Sequence, residues 1–495
     1  VTTIQTPLQS VANQAVRQGL QAYARRHGYR GPITHWSPSQ MADRTQLIER
    51  LKETPVHADL KAAVVTDTTQ TQATLLLETE ATTTVSLDSL TWARPFISVN
   101  KKGPKPESMA SILTPGDVVY LHKRDQAWHL AQNPKVEGAL ISINARTGAI
   151  QALVGGYDYF KSKFNRATQA KRQVGSNIKP FLYASALDQG MSVATVINDA
   201  PVVFEDRTLE DTWRPENYSG KFYGPTRLRK ALAYSRNLVS IRLLQAMGVN
   251  ATTDYLQRFG FPESALNDSR NLSLALGTLQ LAPLEVVRGY ATFANGGYAV
   301  QPYLIDRVRD FNGDVIYQAT PKTACQYQCE QADPSYAPQT ITPQVAYLTT
   351  SMMQDVIAYG SGRKAKKLER DDIAGKTGTT NNQVDAWFSG FNPHIATTVW
   401  VGFDSPTSLG RSEVGGRAAL PIWIDYMDTA LAPYPNQPFS TPSGLVHLPI
   451  DPDTGQAVSA ETPGAVFEVF REDNAPEMPS LEATEMDKIT RELFQ

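Results

Sequence analysis

The sequence predicts a multidomain α+β protein, and three observations lead to this class. The 495 residues are too many for one hydrophobic core, so about two to four domains are expected. Short runs rich in Thr and Val, separated by turns between residues 60 and 130, are typical of a small all-β module. Apolar strands near residues 139–154 and 373–402 flank a mostly helical middle, which predicts a five-stranded antiparallel sheet covered by helices.

The composition limits the function classes. A formal net charge of −2 provides no global field for nucleic acid or an anionic membrane surface. No stretch approaches the roughly 18 apolar residues that a membrane-spanning helix needs, and no signal peptide is recognised at the N-terminus. Because the chain begins with Val1, we expect a processed product or a piece of a longer protein.

The two cysteines, Cys325 and Cys329, lie in a polar stretch that contains no nearby His to complete a zinc site. We therefore expect neither a metal nor another cofactor. A local disulfide in an oxidising compartment and two surface thiols in a reducing one remain equally open.

The expected elements follow from periodicity and turn residues. Helical spacing from Pro7 to about Arg26 predicts a helix that leads into a linker. A second domain begins at Gly138 with a hairpin, followed by helical patterns at 229–247 and 283–294 and by strands at 373–378, 384–391 and 395–402. Frequent prolines after residue 433 predict an irregular tail with a strand pair around residues 451–455.

Ser176 and Lys179 form the first of three candidate motifs. Gly175 precedes the serine and Pro180 is tolerated only in a first helical turn, so a helix is expected to begin at about Ser176. Residues three apart share a helix face, which would let the amine take the hydroxyl proton. Lys179 must then be neutral for part of the time, and burial together with a second cation, for which Lys376 is the candidate, would lower its pKa.

Ser235 and Asn237 lie at the break between two helical patterns and form the second motif. In an extended segment their side chains would point to one side, where Ser235 would relay a proton and Asn237 would hold a substrate amide. The alternative is that Asn237 merely caps the helix that begins near Leu238.

Lys376, Thr377, Gly378 and Thr379 end an apolar strand and form the third motif. Gly378 would leave room for a substrate backbone, while the charge and the hydroxyls would bind a carboxylate. The backbone N–H groups of Ser176 and Thr379 would form an oxyanion hole. The alternative is an ordinary exposed turn.

Two other interpretations are weaker. None of the seven histidines is near Ser176 in sequence, so a Ser-His-Asp hydrolase is a poor second choice. The basic run at residues 363–367 indicates a solvated face more readily than a phosphate site.

The three motifs, in this order, resemble those of penicillin-binding proteins and class A β-lactamases. From Gly138 to the C-terminus the chain resembles class A, bifunctional penicillin-binding proteins of the 1A type. The segments that add to the resemblance are Phe164–Thr168, Arg172–Phe181, Leu274–Gly277, Tyr290–Gly297, Gly375–Thr380 and Asp385–Phe388.

The resemblance implies a penicillin-binding, serine β-lactamase-like transpeptidase domain with a five-stranded antiparallel sheet, plus a small OB-like β module. The implied division is a linker remnant (1–37), the OB-like module (38–135), the transpeptidase domain (136–433) and an irregular C-terminal extension (434–495). Full-length relatives also carry a membrane anchor and a glycosyltransferase domain, whose Glu-Asp-x-x-Phe signature is not found in this sequence. Glycan polymerisation is therefore not expected from this chain.

The resemblance also implies a reaction. Ser176 would attack the carbonyl between the two terminal D-alanines of a peptidoglycan stem peptide, and an amine of a neighbouring stem would then take the acyl group. The implied roles are Lys179 as base, Ser235 as proton relay, Asn237 as amide anchor, and Lys376, Thr377, Gly378 and Thr379 as substrate contacts.

β-Lactams are the other expected ligands, and cell-wall synthesis proteins are expected partners, whereas nucleic acid is not. The implied location is the periplasmic side of the cytoplasmic membrane, anchored through a segment missing from this chain. Three alternatives stay open: a β-lactamase, a β-lactam sensor, and a non-catalytic module that binds cell-wall peptides.

Overall fold

The computed structural model describes residues 1–124, 126–205, 212–325 and 333–478. Within these ranges the α-helices are α1 Thr6–His27, α2 Arg44–Glu53, α3 Arg166–Gln169, α4 Lys179–Asp188, α5 Leu228–Ala233, α6 Asn237–Met247, α7 Val249–Leu256, α8 Glu263–Asn267, α9 Pro283–Ala294, α10 Pro343–Ala358, α11 Gly415–Ala418 and α12 Leu420–Ala430. Short 3₁₀ helices include Gly175–Ile178 and Arg363–Leu368.

The strands begin with β1 Thr34–His35, β2 Lys61–Thr68, β3 Gln72–Leu77, β4 Thr82–Ser86, β5 Phe96–Ser98, β6 Lys101–Lys102, β7 Asp117–Arg124 and β8 Ala127–Ala131. The middle of the chain contains β9 Glu137–Asn144, β10 Ile150–Val154, β11 Arg172–Gln173, β12 Val196–Asp199, β13 Phe204–Glu205, β14 Thr212–Trp213, β15 Gly224–Arg227, β16 Gln280–Leu281, β17 Arg307–Arg309 and β18 Val315–Gln318. The last strands are β19 Ala374–Thr379, β20 Asp385–Phe391, β21 Ile395–Gly402, β22 Leu445–Ile450 and β23 Val466–Arg471.

The predicted β module is an antiparallel sheet in the order β1-β7-β2-β3-β4, with β8 also paired to β7. Side chains of successive strand residues point to opposite faces, and both faces are covered. Ala63 and Val65 of β2 pack into one apolar cluster, whereas Ala62 and Val64 pack into a second cluster beneath α2. The runs predicted as strands, residues 62–66, 73–77 and 117–121, are confirmed as parts of β2, β3 and β7.

The second sheet has the order β10-β9-β21-β20-β19, and every neighbouring pair is antiparallel. The predicted five-stranded sheet is therefore confirmed, with β19 at one edge. Every residue of β20 and β21 is buried, because helices cover both faces. One face packs on α1 and α12, and the other packs on α9 and α10.

Helix α1 confirms the helix predicted from Pro7 to Arg26. Its buried stripe includes Ala12, Val16, Leu20 and Tyr23, which pack against α12 and the sheet. The segment expected to be a linker remnant thus contributes a helix to the core of the second domain.

The helical middle surrounds α4, in which Lys179 and the following eight residues are all buried. The pattern at 229–247 forms two helices, α5 and α6, and the predicted helix at 283–294 coincides with α9. These helices place the second candidate motif at the break between α5 and α6.

The C-terminal tail contains the expected strand pair as β22 and β23, but residues 451–465 connect the strands, a longer segment than the predicted turn. Residues 479–495 of the tail are outside the described ranges. Cys325 is disulfide-bonded, and Cys329 lies outside the described residues. In the described part of the chain, no helix combines the length and the apolar character needed to cross a membrane.

Candidate active site

Ser176 lies in the 3₁₀ turn Gly175–Ile178, which continues directly into α4. The helix start predicted near Ser176 is therefore confirmed, although its first turn is 3₁₀. Gly175 has a φ of +54°, and a Cβ on this residue would lie 2.6 Å from the carbonyl oxygen of Thr379. Only glycine allows this close approach, which places the Ser176 turn directly beside the end of β19.

Lys179 is fully buried, and its amine contacts the second motif. Nζ donates to the Ser235 carbonyl oxygen at 2.8 Å and to Asn237 Oδ1 at 2.8 Å, and it lies 3.3 Å from Ser235 Oγ. Burial and, next, the charge of Lys376 hold the pKa of Lys179 well below its usual value. The direction of this shift and the contribution of Lys376 agree with the prediction from sequence.

The predicted direct contact between the first serine and its lysine is not formed. Among the described residues, no hydrogen bond joins Lys179 Nζ to Ser176. The fully buried amine points instead towards the oxygens of Ser235 and Asn237, which accept its hydrogen bonds. Nor does any of the seven histidines, all of which are described, form a hydrogen bond to Ser176, so the Ser-His-Asp alternative has no support.

The loop between α5 and α6 differs from the prediction of an extended segment. Ser235 has a φ of +58°, a left-handed conformation that is uncommon for serine and that often marks a functional site. Arg236, not Asn237, is the N-cap residue of α6. The Asn237 side chain binds Lys179 and donates to the Glu216 carbonyl oxygen at 2.9 Å, so the capping alternative is wrong.

Lys376 of β19 also reaches Ser235. Its Nζ, also fully buried, donates to Ser235 Oγ at 2.9 Å and to the Thr377 carbonyl oxygen at 3.0 Å. Burial lowers the pKa of Lys376 to about 7. The Ser235 hydroxyl thus lies between two amines whose pKa values are both lowered.

The remaining residues of the third motif line the edge of the sheet. Thr377 Oγ1 and Ser361 Oγ are 2.7 Å apart, and Thr379 Oγ1 accepts a hydrogen bond from the Gly415 N–H at 3.0 Å. The burial of β19 excludes the alternative of an exposed turn. The reason predicted for Gly378 is wrong, because a Cβ there would lie 2.7 Å from the Val174 carbonyl oxygen: the missing side chain makes room for the protein itself.

The structure therefore brings all three motifs together. Lys179, Ser235, Asn237 and Lys376 are joined by hydrogen bonds, and the Ser176 turn packs against the strand that carries Thr377, Gly378 and Thr379.

Sequence reasoning missed several supporting residues. Asn217 accepts the Asn237 N–H at 2.8 Å and donates to buried Asp199 at 2.7 Å. The Tyr290 hydroxyl donates to the Asn177 carbonyl oxygen at 2.9 Å. Tyr290 belongs to one of the segments that carry the family resemblance, but nothing in the sequence marks its hydroxyl as a donor to the Ser176 turn. No periodicity or short motif distinguishes Asn217.

Comparison with known protein families identifies the class. A model of the penicillin-binding protein transpeptidase domain matches residues 138–422, and a model of the penicillin-binding protein OB-like domain matches residues 29–136. The first match covers more than half of the chain, so the chain belongs to the penicillin-binding protein transpeptidase family.

The similar individual proteins share one name, penicillin-binding protein 1A. The chain is 42% identical to penicillin-binding protein 1A of Pseudomonas aeruginosa over 96% of its own length and 62% of the relative's. It is 39% identical to penicillin-binding protein 1A of Escherichia coli over 92% of this chain and 61% of that protein. The chain thus spans about three fifths of the length of these relatives.

Solved structures agree with the sequence relatives. The crystal structure of penicillin-binding protein 1A from Haemophilus influenzae superposes with a TM-score of 0.86 at 34% identity, covering 97% of this chain and 73% of that one. The PonA1 protein from Mycobacterium tuberculosis, solved in complex with penicillin V, gives a TM-score of 0.53 at 28% identity over 63% of this chain and 82% of that chain.

Proposed function

We propose that this chain is a peptidoglycan transpeptidase that cross-links stem peptides through an acyl-enzyme on Ser176. The observation that carries the proposal is the pair of buried lysines, Lys179 and Lys376, whose amines both contact the Ser235 hydroxyl. A serine hydroxyl needs a base to become a nucleophile, and a lysine can act as that base only when it is neutral. The lowered pKa of Lys179 meets this condition.

The proposed acylation step runs as follows. Ser176 Oγ attacks the carbonyl between the two terminal D-alanines while its proton passes to neutral Lys179. The backbone N–H groups of Ser176 and Thr379 hold the negative oxygen of the tetrahedral intermediate, a contribution of about 3 kcal/mol per donor. Collapse breaks the peptide bond, and the leaving amine receives the proton from Lys179 through the Ser235 hydroxyl, which the Lys179 amine already approaches at 3.3 Å.

Transfer to the acceptor reverses this proton path. The amine of a neighbouring stem attacks the Ser176 ester, gives up a proton to Lys179 through Ser235, and forms the new amide bond while Ser176 recovers its hydrogen. If water replaces the amine, the same steps give D-alanine carboxypeptidase activity.

Substrate binding is assigned to two elements that carry motif residues, β19 and the start of α6. Lys376, Thr377 and Thr379 are proposed to bind the terminal carboxylate, because they combine a cation with two hydroxyls on one strand. Asn237 is proposed to bind a substrate amide through its side chain. Ser176, together with Lys179 and Lys376, is also proposed to make the protein sensitive to β-lactams, in line with the penicillin V complex of PonA1.

The test is intact-protein mass spectrometry during incubation with penicillin G. We expect one equivalent of drug to remain covalently bound to the wild-type protein for hours, and no adduct on Ser176→Ala. Rapid loss of the adduct with hydrolysis of the drug would instead identify a β-lactamase. The absence of any adduct on the wild type would favour a non-catalytic peptide-binding module.

The properties of the longer protein are further proposals. The similarity to penicillin-binding protein 1A supports a full-length protein that also polymerises glycan, with an anchor in the cytoplasmic membrane and the transpeptidase on its periplasmic side. We propose domain limits of 38–135 for the OB-like module and 136–433 for the transpeptidase. Strand β1, from the segment before residue 38, adds an edge to the sheet of the OB-like module.

A further inference from the structure

The segment 409–415, which we name the clamp loop, follows β21 and ends at Gly415, the first residue of α11. Helix α1 holds this loop. The Tyr23 hydroxyl donates to the Leu409 carbonyl oxygen at 2.7 Å. Arg26 forms a two-pronged ion pair with Glu413, with Nε 2.8 Å from Oε1 and Nη2 2.7 Å from Oε2. The Glu413 side chain is only 2% exposed, so this pair is shielded from solvent on the carboxylate side.

The OB-like module holds the same loop from a second direction. The Arg411 N–H donates to Asn100 Oδ1 at 2.6 Å, and the His27 Nδ1 atom lies 2.8 Å from the Val99 carbonyl oxygen. His27 Nε2 lies 3.4 Å from Glu413 Oε1. Burial alone would raise the pKa of the Glu413 carboxyl, but His27 and the Arg26 guanidinium lower it to about 2, so the carboxylate stays ionised at working pH.

Gly415, the last residue of the clamp loop, contacts β19. The Gly415 N–H donates to Thr379 Oγ1 at 3.0 Å. A Cβ on Gly415 would lie 2.2 Å from the Trp387 carbonyl oxygen and 2.4 Å from that of Gly378, so the loop backbone is in direct contact with β19 and β20. Because this N–H occupies an acceptor site of the Thr379 hydroxyl, the hydroxyl hydrogen stays available to donate to another acceptor, the role that the proposed function gives to a substrate carboxylate.

We propose that Glu413 is a positioning residue for acyl transfer: its ion pair with Arg26 holds the clamp loop so that Gly415 orients the Thr379 hydroxyl. The inference rests on the proposed function, since it assigns Thr379 to substrate binding. It also gives α1 and the OB-like module a part in the alignment of the transpeptidase site. Misplacement of a positioning group by about 1 Å can cost a reaction about a hundredfold, so a modest shift of the loop is measurable.

The test is a double-mutant cycle on the second-order rate constant for acylation by a fluorescent penicillin. Glu413→Gln keeps the shape of the side chain but removes the charge that Arg26 needs. We expect about a tenfold loss in the wild-type background and less than about a twofold loss in the Thr379→Ala background, because the two changes interrupt one path. In the Thr379→Ser background, which keeps the hydroxyl, the tenfold loss is expected to return. Equal losses in the wild-type and Thr379→Ala backgrounds would overturn the proposal.

Glu137→Gln is the matched control. Glu137 is 4% exposed, pairs with Lys161 Nζ at 2.6 Å, and lies on β9, three strands away from β19. Its loss is expected to lower the melting temperature but to leave the acylation rate constant within about twofold of the wild type. A tenfold drop in this control would show that general destabilisation explains the Glu413 result, and it would overturn the proposal.

A replacement variant and the wild-type measurement distinguish a failure of this inference from a folding defect and from a failure of the proposed function. If Glu413→Gln does not fold, Arg26→Gln breaks the same pair from the α1 side and must show the same dependence on Thr379. If the wild-type protein is not acylated at all, the proposed function fails. If the wild type is acylated but no coupling to Thr379 is found, only the role of Glu413 fails.

Discussion

The two sides of the candidate active site are built in different ways. The helical wall carries Ser176, Lys179, Ser235 and Asn237, and the strand wall is β19. On the helical wall, the motif residues bind one another: Lys179 contacts both Ser235 and Asn237. On the strand wall, the hydroxyls are held by residues from outside the motifs, Ser361 and Gly415 among them. The difference teaches that the acid–base groups bind one another directly, whereas the hydroxyls of the strand wall are aligned by residues outside the motifs.

The helical wall should give the largest effect. Lys179→Met replaces a fully buried amine by an apolar chain of similar length, and the protein is expected to fold. Acylation by a fluorescent penicillin should fall about a thousandfold, because general-base catalysis typically contributes that much. Stopped-flow measurement of the acylation rate constant checks this prediction. A loss below about tenfold would mean that Lys179 is not the base.

Lys376 lies on the strand wall, but its amine binds Ser235 of the helical wall. Its removal therefore tests whether the charge of the strand wall affects the protonation of Lys179. In the wild type, acylation should fall at low pH as Lys179 gains a proton, and again above about pH 7 as Lys376 loses its charge. Lys376→Gln removes a cation that lowers the pKa of Lys179. The acid limb should therefore move to higher pH, and the alkaline fall should disappear.

The measurement is the pH profile of the acylation rate constant for both proteins between about pH 5 and pH 10. An acid limb at the same pH in Lys376→Gln would show that the two lysines are not electrostatically coupled. The rate at the optimum should also fall by about tenfold or more, because a hydrogen bond to a charged group is lost.

Gly415→Ala tests the support of the strand wall. The added Cβ would lie 2.2 Å from the Trp387 carbonyl oxygen, which must push the clamp loop away from β19. We expect acylation to slow by about tenfold. Gly416→Ala is the control, because its nearest atom, the Ser361 carbonyl oxygen, would be 3.1 Å away and a smaller adjustment suffices. Equal losses from both variants would contradict the assigned role of Gly415.

The smallest effect on rate is expected from Tyr290→Phe, beneath the helical wall. The change removes the donor to the buried Asn177 carbonyl oxygen and should cost about 1–2 kcal/mol of unfolding free energy. Acylation should change by less than about twofold. Urea unfolding provides the measurement, with Tyr255→Phe as control, since the buried Tyr255 hydroxyl has no hydrogen-bond partner in the described part of the chain. Similar losses from both variants would contradict the prediction.

The sequence predicts most of the sheet because its strands are apolar runs bounded by turn residues. The strands expected at 384–391 and 395–402 agree with β20 and β21 to within one residue. The three motifs are recognisable for a similar reason, since their residue types and spacing are local. Their convergence was expected from the chemistry that a buried lysine base and an oxyanion hole require, together with the resemblance to a known family.

The remaining features depend on contacts that local patterns do not encode. The left-handed conformation of Ser235 arises where the chain turns from α5 into α6, and nothing in its neighbours marks it. The direction of the Lys179 amine depends on oxygens more than 50 positions along the chain. Gly415 supports Thr379 only because separate segments meet in the folded protein.

The order of the strands in the second sheet has a consequence for how the chain folds. Strand β9 pairs with β10 nearby, but its other neighbour is β21, with Asn144 opposite Ile395 and Glu137 opposite Gly402. Pairings between such distant residues carry a large loop-closure cost and slow folding. During synthesis, one edge of the apolar strand β9 stays unpaired until β21, which ends at residue 402, has been made. Nascent chains that stop before β21 are therefore expected to need protection from aggregation.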